Sequence, residues 1–305
     1  MIALSVPWLL LVLLLTAIFI LLKKRWVTGS VLLVIMVVLN LWAECIPFRV
    51  YSVKEDCDKC IKLLTFNIDG ASDDFGNRVI GIADLIQSIN PDVVFLAEYG
   101  EEDNHGLDSL LKDNYPFTTL TKYGAHYFFS KYPLNQQYQL LGVNNDDTGT
   151  YITRMNAGSV TLFLFGCHFA SNNYTDDRQY LTPDSIKGKS DLALYIKNIS
   201  RAYDRRSYEA DIQIGEIKKT KGPIIVMGDF NDVCGSECIR KLEKLGFKDS
   251  WWEKGVGYGA TIHWPLPYRI DHILHTKELK LKSIKVIDSK GLSDHNALYA
   301  EFEYL

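Results

Sequence analysis

Hydrophobic positions are distributed unevenly along the chain. Two almost unbroken apolar runs, at residues 2–22 and 26–48, precede a longer region in which short apolar and polar segments alternate. Each run has about 20 residues, the length a helix needs to cross the hydrocarbon core of a bilayer. The first run lacks the basic segment that opens a signal peptide, and a second run follows at once. The pattern therefore predicts a transmembrane hairpin over residues 1–48.

Three basic residues, Lys23, Lys24 and Arg25, separate the two runs, and Trp26 follows them as an interfacial anchor. Short basic loops are preferentially retained in the cytoplasm. We therefore expect residues 49–305 to lie on the extracytoplasmic side. Residues 49–60 are polar and are interpreted as a short linker, and residues 61–305 as one domain.

The long region after the linker mixes strand-like and helix-like patterns. Apolar residues recur at helical spacing in residues 77–90, and residues 188–220 predict a longer helix with a break near Arg205 and Arg206. Such a mixture favours an α/β or α+β sandwich, with sheets covered by helices. The predicted strands cover residues 61–67, 92–98, 117–123, 126–130, 137–143, 159–169, 223–230, 268–276, 279–288 and 297–304.

Polar residues follow several of these strands at the point where the apolar segment ends. A single such residue often only caps a turn. Ionisable groups from several strand ends can, however, meet at one rim of a sheet, where α/β proteins build their sites. The polar residues concerned are Asn67, Glu98, His168, Asp229, Asn231, Asp271, Asp294 and His295.

The donor chemistry of this set points to a hard cation and an anionic substrate. Carboxylates from Glu98, Asp229 and Asp294, with amide groups nearby, suit Mg²⁺. His168 and His295 can donate hydrogen bonds to phosphate oxygens. Zinc is less favoured, because no closely spaced His or Cys ligands accompany the carboxylates.

Two close cysteine pairs, Cys57 with Cys60 and Cys234 with Cys238, leave three interpretations open. Both pairs could form disulfides in an oxidising compartment. They could instead form a four-thiolate zinc site if the pairs meet in space, or be ordinary thiols. Cys45 is placed in the second span and Cys167 in an apolar strand.

Six motifs resemble those of the endonuclease/exonuclease/phosphatase superfamily, in that family's order and across residues 61–305. They are LTFN (64–67), LAEYG (96–100), GCHFAS (166–171), MGDFND (227–232), YRIDHIL (268–274) and GLSDHNALYAEF (291–302). The resemblance implies a four-layer α/β sandwich, with two central mixed sheets flanked by helices. It also implies hydrolysis of phosphate esters with Mg²⁺ or Mn²⁺.

The resemblance assigns metal ligation to Glu98, with Asn67 beside it and Asp294 joining the metal or its water shell. Ala97 stands where the family usually has Gln, a change that removes no catalytic atom.

The resemblance assigns the chemistry to five further residues. Asp229 would orient and deprotonate the attacking water, while Asn231 and His168 would hold the non-bridging oxygens. His295 would contact the phosphoryl group, with Asp271 fixing its tautomer.

Three other groups of residues are interpreted from their positions. His272 follows Asp271 along a strand, so it is expected to face the opposite side and not to be catalytic. For Arg201, Arg205 and Arg206 a solvated helix face is favoured over contact with a phosphate-rich substrate. The loop containing Trp251, Trp252 and Trp264 is either surface packing or a rim that stacks on a base or meets lipid.

Charge narrows the function classes. The chain has 33 basic and 37 acidic residues, a net charge of −4. The hairpin contains three basic residues and one acidic, so residues 49–305 hold 30 basic and 36 acidic residues, a net −6. This balance argues against a strongly basic nucleic-acid coat, and 12% aromatic residues argue against disorder.

We therefore expect a membrane-anchored, metal-dependent phosphoesterase of nuclease or phosphodiesterase type. Its expected partners are a phosphate-ester substrate, either nucleic acid or a phospholipid or small phosphodiester, and the lipid bilayer; no protein partner is inferred. One alternative is a phosphodiesterase or phosphatase for lipid headgroups or small molecules. The other is a catalytically silent binding module tethered to the membrane.

Overall fold

The computed structural model describes residues 2–51, 57, 59–70, 77–99, 105–119, 126–141, 148–158, 160–172, 188–263 and 266–304. Its helices are α1 (Ile2–Leu22), α2 (Trp26–Ala43), α3 (Asn77–Ile89), α4 (His105–Leu111), α5 (Lys189–Ile217), α6 (Glu237–Lys244) and α7 (Ser250–Lys254). Its strands are β1 (Cys60–Asn67), β2 (Val93–Ala97), β3 (Phe117–Thr118), β4 (His126–Ser130), β5 (Leu134–Leu141), β6 (Gly149–Ala157), β7 (Val160–His168), β8 (Ile224–Asp229), β9 (Lys248–Asp249), β10 (Asp271–His275), β11 (Leu279–Ile287) and β12 (Ala297–Tyr304).

The strands form two six-stranded mixed sheets. The first sheet has the order β11-β12-β1-β2-β4-β3 and the second β5-β6-β7-β8-β10-β9. One neighbouring pair in each sheet is parallel, β1 with β2 and β7 with β8. Because parallel neighbours end at the same edge, each sheet brings two strand ends to a common rim.

The hydrophobic core lies in three layers. Between the sheets, residues such as Phe95, Met227 and Leu298 are fully buried in one cluster. A second cluster packs α3 and α4 on the outer face of the first sheet, and a third packs α5 and α6 on the outer face of the second. These layers confirm the four-layer α/β sandwich.

The predicted elements differ from the observed ones mainly in the middle of the chain. Helix α5 continues through Arg205 and Arg206 without the predicted break. Arg206 is fully buried against the domain, so the helix is held by packing at this point and does not end in solvent. Strand β6 was not predicted. Its polar and apolar residues are buried alike, so the sequence lacks the alternation of apolar and polar positions that marks a strand with one exposed face. Parts of the predicted strands 117–123, 137–143 and 159–169 lie outside the described residues.

Helices α1 and α2 pack as an antiparallel hairpin and are long and apolar enough, by length and composition, to cross a membrane. Gly29 of α2 allows close approach, because a Cβ there would lie 2.5 Å from the Cγ of Leu21. Helix α2 ends at Ala43, before the predicted end at residue 48. The Asn40 amide then bonds both backbone groups of Ile46, which turns the chain back toward the domain.

The open end of the hairpin contacts the α/β domain. Val6 and Leu10 of α1 are buried in a cluster with Cys45 and Cys234. The Trp8 indole donates a 2.9 Å hydrogen bond to the hydroxyl of Tyr268, which lies just before β10. The contact therefore falls on loops of the second sheet.

None of the three interpretations of the cysteines holds for both close pairs. Cys57 and Cys60 form a disulfide. Cys234 and Cys238 are separate buried thiols, so the two pairs form neither two disulfides nor a four-thiolate zinc site. Cys45 lies beyond the end of α2 rather than within a span.

Candidate active site

The registers of three strands bring polar side chains of the second sheet together. His168 at the end of β7 lies opposite Asp229 at the end of β8, and Asp271 at the start of β10 lies opposite Asp229 from the other side. All three residues are buried. One carboxylate therefore has a histidine and a second carboxylate as its immediate sheet neighbours.

Asn67 joins this group from the first sheet. Its amide nitrogen donates to Oε1 of Glu98 at 2.9 Å and to Oδ2 of Asp229 at 3.1 Å. A single side chain at the end of β1 thus links the carboxylates of the two sheets.

Glu98 follows β2 in a left-handed backbone conformation, with φ of 55°. Non-glycine residues pay a conformational cost in this region, and such positions often cluster at functional sites. His168 Nε2 lies 3.2 Å from Oε1 of Glu98, and the Glu98 side chain is 39% exposed. Glu98 is therefore held on one side by His168 and Asn67 while remaining open to solvent.

The segment Gly228–Asn231 has a backbone shape that positions Asp229. Gly228 has φ of 139°, and a Cβ there would lie 2.0 Å from the carbonyl oxygen of Cys167, so only glycine fits. Asn231 also has positive φ, and its backbone N–H donates to Oδ1 of Asp229 at 2.7 Å. The Asn231 amide donates to Oδ2 of the same carboxylate at 3.2 Å.

His295 completes the group from the loop before β12. Its Nδ1 lies 2.8 Å from Oδ2 of Asp271, and its Nε2 lies 3.8 Å from Oδ2 of Asp229. Oδ1 of Asp271 is buried and makes no hydrogen bond within the described structure. Asp271 therefore fixes the imidazole so that Nε2 faces Asp229.

The charges of the group shift the pKa values in different directions. Burial raises the pKa of Asp229 to about 6, with Asp271 adding to the rise and His295 opposing it. Burial works to lower the pKa of His295, but Asp271 and Asp229 outweigh it and raise the value to about 10. Burial works to raise the pKa of Glu98, but His168 and Asn67 hold it at about 2.

The arrangement offers two overlapping sets of groups that could hold a metal ion. Ligand atoms of Glu98, His168 and Asp229 lie within 4.8 Å of one another, as do those of Asp229, Asp271 and His295. The described contacts of the Glu98 carboxylate, with Asn67 and His168, both go to Oε1, which leaves Oε2 for a hard cation. Asp294 is exposed at the rim and belongs to neither set, so its metal role stays a prediction.

Two supporting residues carried no separate signal in the sequence. The Ser293 hydroxyl donates to the Asn67 carbonyl at 2.7 Å and accepts from the His295 N–H. The Thr261 hydroxyl oxygen accepts from the backbone N–H groups of Ile270 and Asp271. Ser293 lies within the SDH motif and Thr261 within the glycine-rich loop, and both hold the ends of segments that carry site residues.

Arg206 and His272 belong to supporting networks behind the site. Arg206 bonds the carboxylate of Asp232 and the carbonyl of Ala170, so the solvated face predicted for it is wrong. His272 faces away from Asp271, as expected, and its Nε2 lies 2.9 Å from the Asp232 carbonyl. Trp251 is buried as packing, whereas Trp264 lies outside the described residues.

A sequence model of the Endonuclease/Exonuclease/phosphatase family matches residues 64–295. The matched segment covers most of the chain and includes every site residue described above. The protein belongs to this family. Its members are metal-dependent hydrolases that act on phosphodiester bonds. No curated protein gives a significant match to the chain.

Solved structures show the same fold at low sequence identity. Danio rerio TDP2 complexed with single-strand DNA product is 17% identical, with a TM-score of 0.59 over 81% of this chain and 100% of that one. Truncated Caenorhabditis elegans TDP2 is 15% identical, with a TM-score of 0.58 over 81% and 98%. Sphingomyelinase C from Streptomyces griseocarneus is 17% identical, with a TM-score of 0.53 over 79% and 99%.

Proposed function

We propose that the protein is a membrane-anchored phosphodiesterase that uses Mg²⁺ or Mn²⁺ and attacks the phosphorus with an activated water. The observation that carries this proposal is the convergence of Glu98, Asn67, His168, Asp229 and His295 from both sheets at one rim. Family membership supports the reaction class.

Asp229 is the group that would take a proton from the attacking water. Its backbone and amide contacts with Asn231 fix the carboxylate, and burial raises its pKa to about 6, which makes it a stronger base than an exposed aspartate. A base with a pKa nearer to the working pH transfers protons more effectively. Placing the water opposite the leaving oxygen completes an in-line displacement.

Three neighbours of Asp229 carry donors for a phosphoryl group. The imidazoles of His168 and His295 and the amide of Asn231 lie around the same carboxylate. Donors aimed at oxygens on which negative charge increases stabilise the transition state. Asp271 supports the positive charge of His295 without touching the substrate.

Glu98 and Asn67 would hold the cation, with Asp294 in its water shell. When bound there, the cation supplies positive charge to the phosphoryl oxygens and the leaving group.

The hairpin anchors the domain, and its contact with the domain favours a substrate at the membrane surface. Trp8 of α1 bonds Tyr268, three residues before Asp271, and Cys234 in the same interface lies three residues after Asn231. The catalytic rim therefore lies beside the hairpin. The net −6 of residues 49–305 gives no general attraction for a polynucleotide. Lipid headgroup diesters are for these reasons the favoured substrates, with nucleic acid the second candidate.

The test is hydrolysis by the full-length protein in detergent. Bis(p-nitrophenyl) phosphate, a phospholipid and single-stranded DNA are each assayed with Mg²⁺, with Mn²⁺ and with chelator. We expect metal-dependent turnover that Glu98→Gln reduces by about 10²-fold or more. Glu278→Gln is the matched control, because this glutamate is exposed and distant from the rim. Absence of metal-dependent turnover on all substrates would instead support a silent binding module.

The extracytoplasmic placement has a separate test. A protease added to intact cells or spheroplasts should cleave the domain, and cleavage that requires lysis would reverse the orientation.

A further inference from the structure

Arg78, at the beginning of α3, bonds two chain segments that carry candidate site residues. Its Nη2 donates to the carbonyl oxygen of Ile68 at 3.1 Å and to that of Asp69 at 3.3 Å. Its Nε donates to the carbonyl oxygen of Leu292 at 3.1 Å. One half-buried guanidinium therefore connects the turn after β1 with the loop before β12, a double contact that suits its rigid planar fork.

The peptide group between Ile68 and Asp69 is bonded at both ends. Its oxygen accepts from Arg78, and its N–H donates to Oδ1 of Asn67 at 3.1 Å. Because the Asn67 amide nitrogen donates to carboxylates of both sheets, Oδ1 is the atom that Asn67 would offer to a cation. A single peptide group thus connects the arginine to a proposed ligand atom.

The next peptide group, between Asp69 and Gly70, is bonded in the same way. Its oxygen accepts the longer hydrogen bond from Arg78, and its N–H donates to the backbone carbonyl of Glu98 at 2.9 Å. Glu98 has a left-handed backbone conformation, so this bond helps to hold a conformation that is otherwise costly. Hydrogen bonds in such a chain also polarise and strengthen one another.

The loop before β12 is tied to the same turn by two separate contacts. Arg78 bonds the Leu292 carbonyl, and the Ser293 hydroxyl donates to the Asn67 carbonyl at 2.7 Å. Helix α3 packs closely on this loop, since a Cβ at Gly81 would lie 2.6 Å from Cδ2 of Leu292. The loop that carries the SDH motif is therefore held against the end of β1 by both contacts.

The side-chain ion pair of Arg78 is the weaker part of this arrangement. Nη2 lies 3.5 Å from Oδ2 of Asp69, whose side chain is 55% exposed. Exposed ion pairs contribute little to stability. The three backbone carbonyls are therefore the partners that define what the guanidinium does.

We propose that Arg78 is a positioning residue that holds Asn67 and Glu98 in the geometry needed to bind the divalent cation. This inference rests on the metal site in the proposed function and adds a residue that need not touch the cation or the substrate. The two peptide groups transmit its effect to the Asn67 side chain and to the Glu98 backbone.

Two other roles for Arg78 predict different results. An arginine that acted only by its charge would repel the cation, so its removal would strengthen metal binding. An arginine that served only the fold would change stability and leave the metal affinity of the folded protein unchanged. Arg78→Lys keeps the charge but replaces the planar fork by a single ammonium, and Arg78→Gln removes the charge.

The test is a titration of the full-length protein in detergent with Mn²⁺, with the free ion measured by electron paramagnetic resonance. The binding that Glu98→Gln abolishes defines the site. We expect the dissociation constant of this site to rise about 10-fold or more in both Arg78→Lys and Arg78→Gln, the cost typical of losing a group that orients metal ligands. Turnover of bis(p-nitrophenyl) phosphate should return toward the wild-type kcat once Mn²⁺ is saturating.

Arg240→Lys is the matched control. Arg240 also bonds two backbone carbonyls from different segments, with Nε to Gly235 at 3.0 Å and Nη2 to Trp42 at 2.6 Å. Neither segment carries Asn67 or Glu98, so the dissociation constant for Mn²⁺ should match that of the wild type. An equal rise in this control would show that any bridging arginine has the effect, and would overturn the specific role of Arg78.

Partial unfolding does not hide the result. The titration gives the number of sites and the dissociation constant separately, and an unfolded fraction lowers only the number. If neither Arg78 variant folds, Ser293→Ala decides, because it breaks the other contact between the same two segments and keeps the guanidinium. Its dissociation constant should rise about fivefold, the effect of one hydrogen bond, and an unchanged value would then overturn the inference.

The outcomes separate the inference from the function on which it rests. If Glu98→Gln leaves Mn²⁺ binding unchanged, the proposed metal site fails and the inference fails with it. If Glu98→Gln abolishes the binding while both folded Arg78 variants bind Mn²⁺ as tightly as the wild type or more tightly, the inference alone is overturned. A rise in Arg78→Gln without a rise in Arg78→Lys also overturns it, since the fork would then be unnecessary.

Discussion

Two neighbouring residues of β10 enter two different buried networks. Asp271 faces the rim of the candidate active site, where it bonds His295, and His295 in turn faces Asp229. His272 faces the other way and lies 2.9 Å from Nη1 of Arg269, which bonds both carboxylate oxygens of Asp249. Both networks contain a histidine and an aspartate that are at most 5% exposed.

The difference between the networks is the way charge is balanced. In the catalytic network two carboxylates share one imidazole, and burial raises the pKa of Asp229 to about 6. In the supporting network, burial works to raise the pKa of Asp249, but the fixed charge of Arg269 outweighs it and holds the pKa well below its usual range. Similar residue types therefore form the site of the proposed proton transfer in one network and a permanent ion pair in the other.

Replacing the proton acceptor should have the largest effect. Asp229→Asn keeps the shape and the contact with the Asn231 N–H but removes the base, so we expect turnover of a phosphodiester to fall about 10³-fold or more. The apparent melting temperature should fall less than in Asp249→Asn, because removing a carboxylate whose ionisation burial disfavours offsets the loss of the Oδ2 acceptor for the Asn67 and Asn231 amides. A loss of melting temperature equal to that of Asp249→Asn would show that the two networks are not distinct.

Breaking the ion pair between Asp249 and Arg269 should have the opposite effect to Asp229→Asn, with stability lowered and activity nearly unchanged. Asp249→Asn keeps the cap on the Trp251 N–H but leaves the Arg269 charge buried without a counterion, which lowers the free energy of unfolding by about 3–5 kcal/mol. Thermal unfolding in detergent should shift down by about 6–20 °C. Activity of the folded fraction, assayed well below that temperature, should stay close to wild type; a loss comparable to that of Asp229→Asn contradicts the comparison.

A smaller effect is expected from the residue that supports His295. Burial works to lower the His295 pKa, while Asp271 and Asp229 raise it to about 10. The protonated imidazole is thus favoured in the folded protein, and the resulting stability is present below pH 6.5 and is lost as the pH rises through 10. Asp271→Asn removes the larger of the two raising charges. The alkaline limb of the kcat–pH profile should move down by about one unit or more, with kcat at pH 7 reduced about tenfold; an unmoved limb would contradict the role of Asp271.

The sequence predicted the catalytic network better than the supporting one, for a physical reason. Asn67, Glu98, His168, Asp229 and Asp271 interrupt apolar strands, so their positions at strand ends stand out in the residue pattern. The outward face of His272 followed from strand alternation. The grouping of these side chains at one rim was therefore predictable before the structure, while their catalytic and metal-binding roles stay predictions.

The supporting network left no comparable signal. Arg206 lies in a polar helix and Asp249 in the two-residue strand β9, and charged residues in such segments are usually solvated. Their burial depends on α5 and α7 packing over the second sheet, which is a tertiary event. The docking of the hairpin was unpredictable for the same reason, since Trp8 and Tyr268 are 260 residues apart.

The junction between the hairpin and these networks should show the smallest effect. Tyr268 bonds Trp8, Arg269 bonds Asp249 and Asp271 bonds His295, so four consecutive positions connect all three regions. Tyr268→Phe removes one partly buried hydrogen bond and leaves the ring contact with Trp8, so the free energy of unfolding should fall by about 1 kcal/mol. Melting in detergent should fall by about 2–4 °C, and turnover of soluble bis(p-nitrophenyl) phosphate should not change. Arg269, which is held by Asp249, lies between Tyr268 and Asp271 in the chain. A loss of that turnover would therefore mean that a change at the hairpin contact reaches Asp271 in spite of this ion pair.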